Sequence, residues 1–418
     1  MYIILITIYA LIGFVLTPLL PLLFLYRLFI GKENIGNIFN RFGFFKKLKG
    51  KKTYWIHCAS VGESISAMPL ILKILKNDDA NIIITSITLT SGNLIRKKIK
   101  EHSISNKVKH IYFSYDHIII SLLFISLLRP SYIIFVDSEI WPITLGIARF
   151  FTKNIYLVNA RLSPKSFKRW LYLKNCFAKI LSNFKMIYAS SKADYDRYSS
   201  FSKNVEEFVN IKYYTQNSDP EQKTLQMLEN IKLIAGSGKI ITIGSTHEGE
   251  EDLLLSQLRK VDNLFIILAP RHPSRMEEVI KVVKKYNINY ALRSKLTEIN
   301  QEIICIIVDT IGELSHFYSI SDLAIVCGSF VQNIGGHNPI EAVSRSAPVI
   351  MGKYHANCTD IVNNLEKDMC LIVSDVENIN QNISKILSYD KDNIKSCVSM
   401  YQNIIEELYN KIFQENII

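Results

Sequence analysis

Short β-rich runs alternate with segments of helical period along this chain, twice over, and that alternation limits the fold more than any other feature. TYWIHCA, NIIITSIT, HIYFSY, YIIFVDS, NIYLVNA and KMIYASS form the first set, with SAMPLILKILKN and SGNLIRKKIKEH between members of it. KIITIGS, NLFIILAP, EIICIIVDT, DLAIVCGS and APVIMGK form the second, interleaved with GEEDLLLSQLRK and SRMEEVIKVVKK. Strands alternating with helices build parallel sheets covered by helices on both faces. At 418 residues the chain exceeds one ordinary core, so two α/β domains are expected. The polar stretch 213–238, with Pro220 and Gly236-Ser237-Gly238, reads as the linker region. It leaves an N-terminal domain over 31–212, a C-terminal domain over 239–390 and a helical segment over 391–418. Two such domains in tandem predict a cleft, with ligands beyond the carboxyl ends of the strands.

The first 26 residues carry no charge, which is long enough for a membrane-crossing helix of about 20 residues. Pro18 and Pro21 would kink it, and a helix lying flat in the interface is the other reading. Arg27, Lys32, Arg41, Lys46, Lys47, Lys49, Lys51 and Lys52 follow against one acid, Glu33. An anchor over 1–30 with this basic collar places the body on the cytoplasmic side, against anionic headgroups. The net charge of +11 also permits nucleic acid, but no interleaving of aromatic and basic residues supports that partner. The seven cysteines form no CxxC pair and the nine histidines no HxxxH, so neither a disulfide framework nor a metal site is expected.

Polar residues cluster where strands stop. Glu63 follows TYWIHCA in HCASVGES, at the start of a helix. There it is either a general base or a carboxylate that merely suits the helix dipole. Asp137 and Glu139 follow YIIFV beside Trp141-Pro142; Asn159 and Arg161 end NIYLV. In the second block, Ser245, Thr246, His247 and Glu248 end one strand, Arg271 and His272 another, and Asp309, Gly312 and Glu313 a third. GGHNPIE carries Gly335, Gly336, His337, Asn338, Pro339, Ile340 and Glu341 into a helix predicted to continue through IEAVSRS. Its N–H groups would suit an anion, and Glu341 either two ribose hydroxyls or the helix dipole. Arg271, set between prolines in PRHP, suits a phosphate. The fingerprints GxGxxG and the P-loop lysine are absent, against NAD or ATP as cofactor.

Taken together, WIHCASVGES, DSEIWP, NARLS, STHEGEE, PRHP, DTIGEL and GGHNPIE, with Gly31-Lys32-Glu33 after the apolar start, resemble one family in order along nearly the whole chain. It is the 3-deoxy-D-manno-octulosonic acid (Kdo) transferases of lipopolysaccharide assembly, glycosyltransferase family 30. The resemblance implies a GT-B fold: two Rossmann-like domains facing a cleft, with an N-terminal membrane anchor helix. It implies CMP-Kdo as donor, a lipid A precursor (lipid IVA) as acceptor, the cytoplasmic face of the inner membrane as location, and no metal or other cofactor. The family's CMP site maps onto Pro270, Arg271, Ile311, Gly312, Glu313 and Asn338 to Glu341. Its base maps onto Glu63, and two residues assigned to the transition state map onto Glu139 and Lys212. DSEIWP reads Asp137-Ser138 where the family commonly has Glu-Thr, and NIKYY departs from a GNLKFD-like pattern around Lys212. Ser60, Gly62, Arg161, Ser245, Thr246, His272, Gly335, Gly336 and His337 are further candidates for the donor pocket. Another nucleotide-sugar transferase or epimerase of the same architecture, or a tethered nucleotide-binding protein without catalysis, are the rival readings.

A single displacement at the anomeric carbon needs one general base and inverts configuration, because CMP leaves readily once its phosphate charge is met. The helix dipole at Glu63 predicts an ionised carboxylate near neutral pH. Arg271 and the helix start after Gly336 are expected to meet the phosphate, and Lys212 the Kdo carboxylate or the departing phosphate.

Overall fold

The structure is a computed structural model that describes residues 2–31, 33–41, 45, 52–113, 116–214, 221–296, 302–389 and 391–414. Lys32, Lys46, Lys47, Lys49 and Lys51 of the expected basic collar, and Pro220, lie outside the described residues. The chain divides into two compact units. The first holds Met1–Tyr214 and Ile404–Ile418, the second Thr215–Asn403.

Seven parallel strands make the sheet of the first unit: β1 (Thr53–His57), β2 (Asn81–Ser86), β3 (Val108–Tyr112), β4 (Tyr132–Val136), β5 (Ile155–Ala160), β6 (Met186–Ala189) and β7 (Val205–Glu207). Their order is β3-β2-β1-β4-β5-β6-β7. The second sheet is built from β8 (Lys239–Thr246), β9 (Leu264–Pro270), β10 (Tyr290–Leu292), β11 (Cys305–Ile307), β12 (Leu323–Val326), β13 (Val349–Met351) and β14 (Leu371–Val373). It runs β10-β11-β9-β8-β12-β13-β14, again all parallel. Every residue of β1, β2 and β5 is buried, which explains why these strands read as continuous apolar runs and do not alternate. The order reverses between β1 and β4, and again between β8 and β12. At such a switch point the crossovers leave in opposite directions and open a crevice beyond the strand ends.

The segment 213–238 contains a helix, Gln222–Ala235, whose Met227, Leu228, Ile231 and Ile234 are buried in the core of the second unit against Ile240, Phe265 and Phe317. The C-terminal helix Lys391–Phe413 begins in the second unit and ends in the first. There Phe413 packs on Tyr54 and Tyr132, and Tyr156 donates to the carbonyl of Ile412.

The apolar N-terminus differs from the expected spanning anchor. It forms a helix over Tyr2–Leu16, one 3₁₀ turn over Thr17–Leu19, and a second helix over Leu20–Phe29. The interruption falls at Pro18, which cannot extend the helical ladder. Fifteen residues reach about 22 Å at 1.5 Å per residue, short of a hydrocarbon core of about 30 Å. No helix among the described residues is long and apolar enough to cross a membrane. The first helix is instead tied to the body. Tyr9 bonds Asp116, and Thr17 Oγ1 lies 3.2 Å from His117 Nε2.

The helix Ile35–Arg41 that follows is held by a buried cation. Arg41 Nε donates to Glu33 Oε2 at 2.8 Å, and its other nitrogens to the carbonyls of Phe113 and Ile87 at 2.8 and 2.7 Å. Both partners of the ion pair are buried, and removing Arg41 leaves Glu33 with only the more distant Arg27, whose Nε is 3.9 Å away. Arg41→Ala is therefore expected to destabilise the first unit by about 3–5 kcal/mol, measured by urea unfolding followed by tryptophan fluorescence.

Candidate active site

The carboxyl ends of β1 and β4 carry the polar cluster of the first unit. After β1 the chain turns at Ser60, whose extended backbone and side chain cap the helix Val61–Asn77. Glu63 stands three residues on and bonds back around the cap: its N–H donates to Ser60 Oγ at 3.3 Å, its Oε2 accepts from Ala59 N–H at 2.7 Å and its Oε1 from Ser60 Oγ at 2.7 Å. Gly62 is exposed beside it, with open space where a Cβ would stand. Glu63 is only 8% exposed and forms no ion pair with a lysine, arginine or histidine among the described residues. Its pKa is raised above the ordinary carboxylate value, first by burial and then by the charges of Glu139 and Asp137, against the lowering effect of the Ser60 and Ala59 bonds. The direction is opposite to the lowering that a helix start favours, because desolvation is the largest influence on Glu63. A raised value brings a carboxylate closer to that of an effective general base at neutral pH.

After β4, Asp137 takes a left-handed backbone (φ +69), as does Asn159 at the end of β5 (φ +57). Asp and Asn adopt that region more readily than other side chains, and such outliers collect at functional sites. The turn lets Asp137 Oδ2 pair with Lys212 Nζ at 2.9 Å, while Asn159 Oδ1 accepts from Ile211 N–H and holds the short helix that bears Lys212. Lys212 is thus brought to the cluster, but its partner there is Asp137. Glu139 Oε2 accepts from Trp141 Nε1 at 2.8 Å and lies 3.3 Å from His57 Nε2. The interactions of Glu63 with Glu139 and Asp137 bring these three acids into one electrostatic group. Arg161 is exposed at the end of β5, its carbonyl bonded by Tyr198.

In the second unit the corresponding switch point lies between β8 and β12. Ser245 is the bulge where the register with β9 shifts, with φ +59, and it turns Thr246 inward. Thr246 is wholly buried and its hydroxyl donates to Glu251, which Arg275 grips at 2.9 and 3.2 Å, so this threonine is committed to the scaffold. Glu250, also wholly buried, accepts from the N–H groups of His247 (2.9 Å), Gly328 (2.8 Å) and Phe330 (3.0 Å). It thereby fastens the end of β8 to the loop after β12. Sequence reading passed over Glu250, Glu251 and Arg275; the run of acids directly after Gly249, opening a helix, was the available signal.

That loop reaches GGHNPIE. Gly335 and Gly336 have φ of +89 and +79, which a side chain would strain. Their segment is held by internal bonds: Gly336 N–H to the Gly328 carbonyl and His337 N–H to that of Cys327. The helix after Pro339 is one turn, Ile340–Val343, shorter than the predicted stretch through IEAVSRS. Pro339 has no N–H and that of Ile340 goes to Asn338 Oδ1, so the helix start offers a phosphate far less than the sequence suggested. Pro339 and Ile340 are buried, whereas Asn338 and Glu341 are exposed. Arg271 and His272 are exposed after Pro270 at the end of β9. Ile311 is 86% exposed, before Gly312 and Glu313, and Glu313 pairs with Arg293 at 2.8 Å and bonds Thr310. The rings of His247 and His337 stack, with Nε2 atoms 2.8 Å apart, and His272 meets His247 edge-on. Burial, then His247, Arg271 and His272, lower the His337 pKa to about 4. Among the described residues no group of three or more His, Cys, Asp and Glu is placed to hold a metal ion.

Residues 36–215 match the family described as 3-Deoxy-D-manno-octulosonic-acid transferase (kdotransferase). Across 96% of this chain and 97% of the relative, 30% of residues are identical to a 3-deoxy-D-manno-octulosonic acid transferase of Rickettsia bellii. The chain belongs to the Kdo transferase family. A second member, from Haemophilus influenzae, is 33% identical over 73% of this chain and 72% of that protein. Kdo transfer, a glycosyltransferase reaction, is thereby its class of activity. The MurG structure of Acinetobacter baumannii shares the fold over 87% of this chain and all of that one, with a TM-score of 0.51 at 11% identity. It places this Kdo transferase among proteins built from two parallel-sheet units.

His337 stays neutral in the folded protein where a free imidazole of pKa 6.5 would protonate. The unfolded chain therefore binds a proton that the folded chain refuses, and stability falls as pH drops from about 6.5 toward 4. Proton NMR of the ring is expected to place the His337 midpoint near the lower end of that window, and His247→Ala to move it upward.

Proposed function

We propose that this Kdo transferase moves Kdo from CMP-Kdo to a lipid A precursor, lipid IVA, with inversion and with Glu63 as general base. The acceptor hydroxyl gives its proton to Glu63 as its oxygen attacks the anomeric carbon. The bond from that carbon to the CMP phosphate breaks, and CMP leaves with the electron pair. The observation that carries this reading is the state of Glu63: buried, unpaired by any cation among the described residues and raised in pKa, at the β1–β4 switch point. Glu250, another buried carboxylate at a helix start, differs in that three backbone N–H groups converge on it, whereas Glu63 lies near two further acids.

The nucleotide belongs, on this reading, to the second unit. Arg271 supplies the cation for the phosphate, the turn Ile311-Gly312-Glu313 and the stretch Asn338–Glu341 hold the nucleoside, and exposed Ile311 covers the base. With the helix start after Pro339 largely capped, Arg271 carries more of the phosphate charge, and the stacked His247 and His337 stand close to it. Lys212, held by Asp137, and Glu139 orient the sugar or the acceptor. No metal or other cofactor takes part.

We place the protein on the cytoplasmic face of the inner membrane, resting on it. Supporting this are exposed apolar side chains on the N-terminal helices, such as Phe14, Val15 and Phe29, and on the helix Ile118–Leu128, such as Ile119 and Leu122. Exposed apolar side chains of this kind suit the boundary of a bilayer from which a lipid acceptor is drawn.

The test is mass spectrometry of the lipid product after incubation with CMP-Kdo and a tetraacyl lipid A precursor, which reads donor, acceptor and stoichiometry at once. Glu63→Gln is expected to keep CMP protection in a thermal shift and to lose at least a hundredfold in transfer, the usual scale for a general base. Transfer retained by that variant would remove Glu63 from the mechanism. In the wild type the rate should fall on the acid side through a midpoint above that of a free carboxylate, since protonated Glu63 cannot accept the acceptor's proton.

A further inference from the structure

His57, the last residue of β1, is wholly buried and takes no part in the mechanism above. Its ring is boxed by Phe113, Phe135 and Trp141, with centroids 4.6, 5.8 and 6.1 Å away. Among the described residues its ring nitrogens have two polar partners: Nδ1 lies 2.8 Å from Thr85 Oγ1, and Nε2 lies 3.3 Å from Glu139 Oε2.

The position of its proton follows from Thr85. Trp55 Nε1, which can only donate, is 2.8 Å from the same Thr85 Oγ1. The hydroxyl accepts that hydrogen and has one of its own to give. Trp55 and His57 are its hydrogen-bond partners, so that hydrogen goes to His57 Nδ1. Nδ1 is then the acceptor, and the ring proton sits on Nε2, aimed at Glu139. From the other side Trp141 Nε1 donates to the same Glu139 oxygen at 2.8 Å. One carboxylate oxygen thus receives N–H groups from two rings inside an aromatic wall.

We propose that His57 is a positioning residue for the transfer reaction: as the Nε2–H tautomer, set by Trp55 and Thr85, it holds Glu139 in the orientation that the reaction uses beside Glu63. The proposal rests on the reading of Glu139 as part of the active site. His57 touches no substrate in this scheme; its work is to fix the carboxylate that does. A chain of hydrogen bonds running from β2 through β1 to the loop after β4 ties that carboxylate to the centre of the sheet, the most rigid part of the unit. The aromatic box keeps water from competing for the bond. Orientation of this kind shows in the rate of the chemical step and leaves donor affinity alone.

The experiment uses the full chain in mixed lipid–detergent micelles, with CMP-Kdo and the tetraacyl lipid A precursor. Gln places an amide N–H where Nε2 stands, whereas Asn mimics only Nδ1. His57→Asn is expected to lower kcat about tenfold or more, the scale of one hydrogen bond to a charged group, with the KM for CMP-Kdo within about twofold of wild type. His57→Gln is expected to restore most of that loss. In an E139A background, H57N should add no further loss. A Thr85→Val and Thr85→Ser pair reads the same relay without touching the ring: Val should lower kcat, and Ser should not. Equal kcat for H57N and H57Q, or losses that simply add in the E139A background, would overturn the proposal. So would a T85V kcat equal to that of T85S. Full activity of E139A alone sinks the reading of Glu139, and the role of His57 falls with it. A large loss in E139A beside an unchanged H57N sinks the role of His57 alone.

Discussion

Parallel strands all point one way, and that single constraint gathers nearly everything chemical in this protein. Each sheet has one edge where carboxyl ends emerge, and each chain segment leaving that edge must turn before it becomes a helix. The turns are where polar groups are tolerated, because backbone N–H groups there lack ladder partners. HCASVGES, DSEIWP, NARLS, STHEGEE, PRHP and GGHNPIE are all such turns. The two of greatest interest in each unit flank its switch point: β1 with β4, and β8 with β12.

Four buried carboxylates show how differently one chain can treat the same group. Glu33 faces Arg41, and Glu251 faces Arg275; each is an ion pair that binds structural elements together. Glu250 has neither, but three backbone N–H groups converge on it, enough to compensate a charge by hydrogen bonding alone. Glu63 receives one N–H and one hydroxyl, and two further carboxylates lie near enough to repel it. The first three have their charge met by an arginine or by converging N–H groups and serve the scaffold, although Glu33 Oε1 itself is left without a hydrogen bond among the described residues. The fourth is under-compensated, and incomplete compensation is what distinguishes a group that can exchange a proton from one that cannot.

The fold was legible in the sequence because its signal is repeated: strand runs such as YIIFV and NLFIIL fall into place as β4 and β9, and the order of motifs follows the order of strands. The family was legible because seven strand-end motifs stand in sequence. What local reading could not supply was commitment. Thr246 and the N–H groups around Gly336 looked available from their immediate neighbours, yet Glu251 on the following helix and Gly328 and Cys327 just after β12 occupy them once the loops fold back. Burial is likewise non-local: the helix dipole at Glu63 is visible in eight residues, but the desolvation that outweighs it comes from the surrounding sheet and helices. His57 escaped for a related reason, since its meaning lies in Thr85 and Glu139, 28 and 82 residues away.

The N-terminal helices carry the same lesson in mechanical form. Composition alone made the first 26 residues a span, but Pro18 divides them into two shorter helices. What the break makes possible is contact. Tyr9 reaches Asp116, and Asp116 in turn accepts from the N–H groups of Ile143 and Thr144 at 3.1 and 2.7 Å, capping the helix Pro142–Phe151. That helix begins directly after Glu139, Ile140 and Trp141. An apolar element tied to the body thus joins by two hydrogen-bonded steps to the turn bearing Glu139. A lipid surface pressing on the first helix would act on the start of the Pro142–Phe151 helix through rigid groups. The break at Pro18 therefore does more than shorten an apolar helix: it leaves the first helix bonded to the frame from which the turn bearing Glu139 begins.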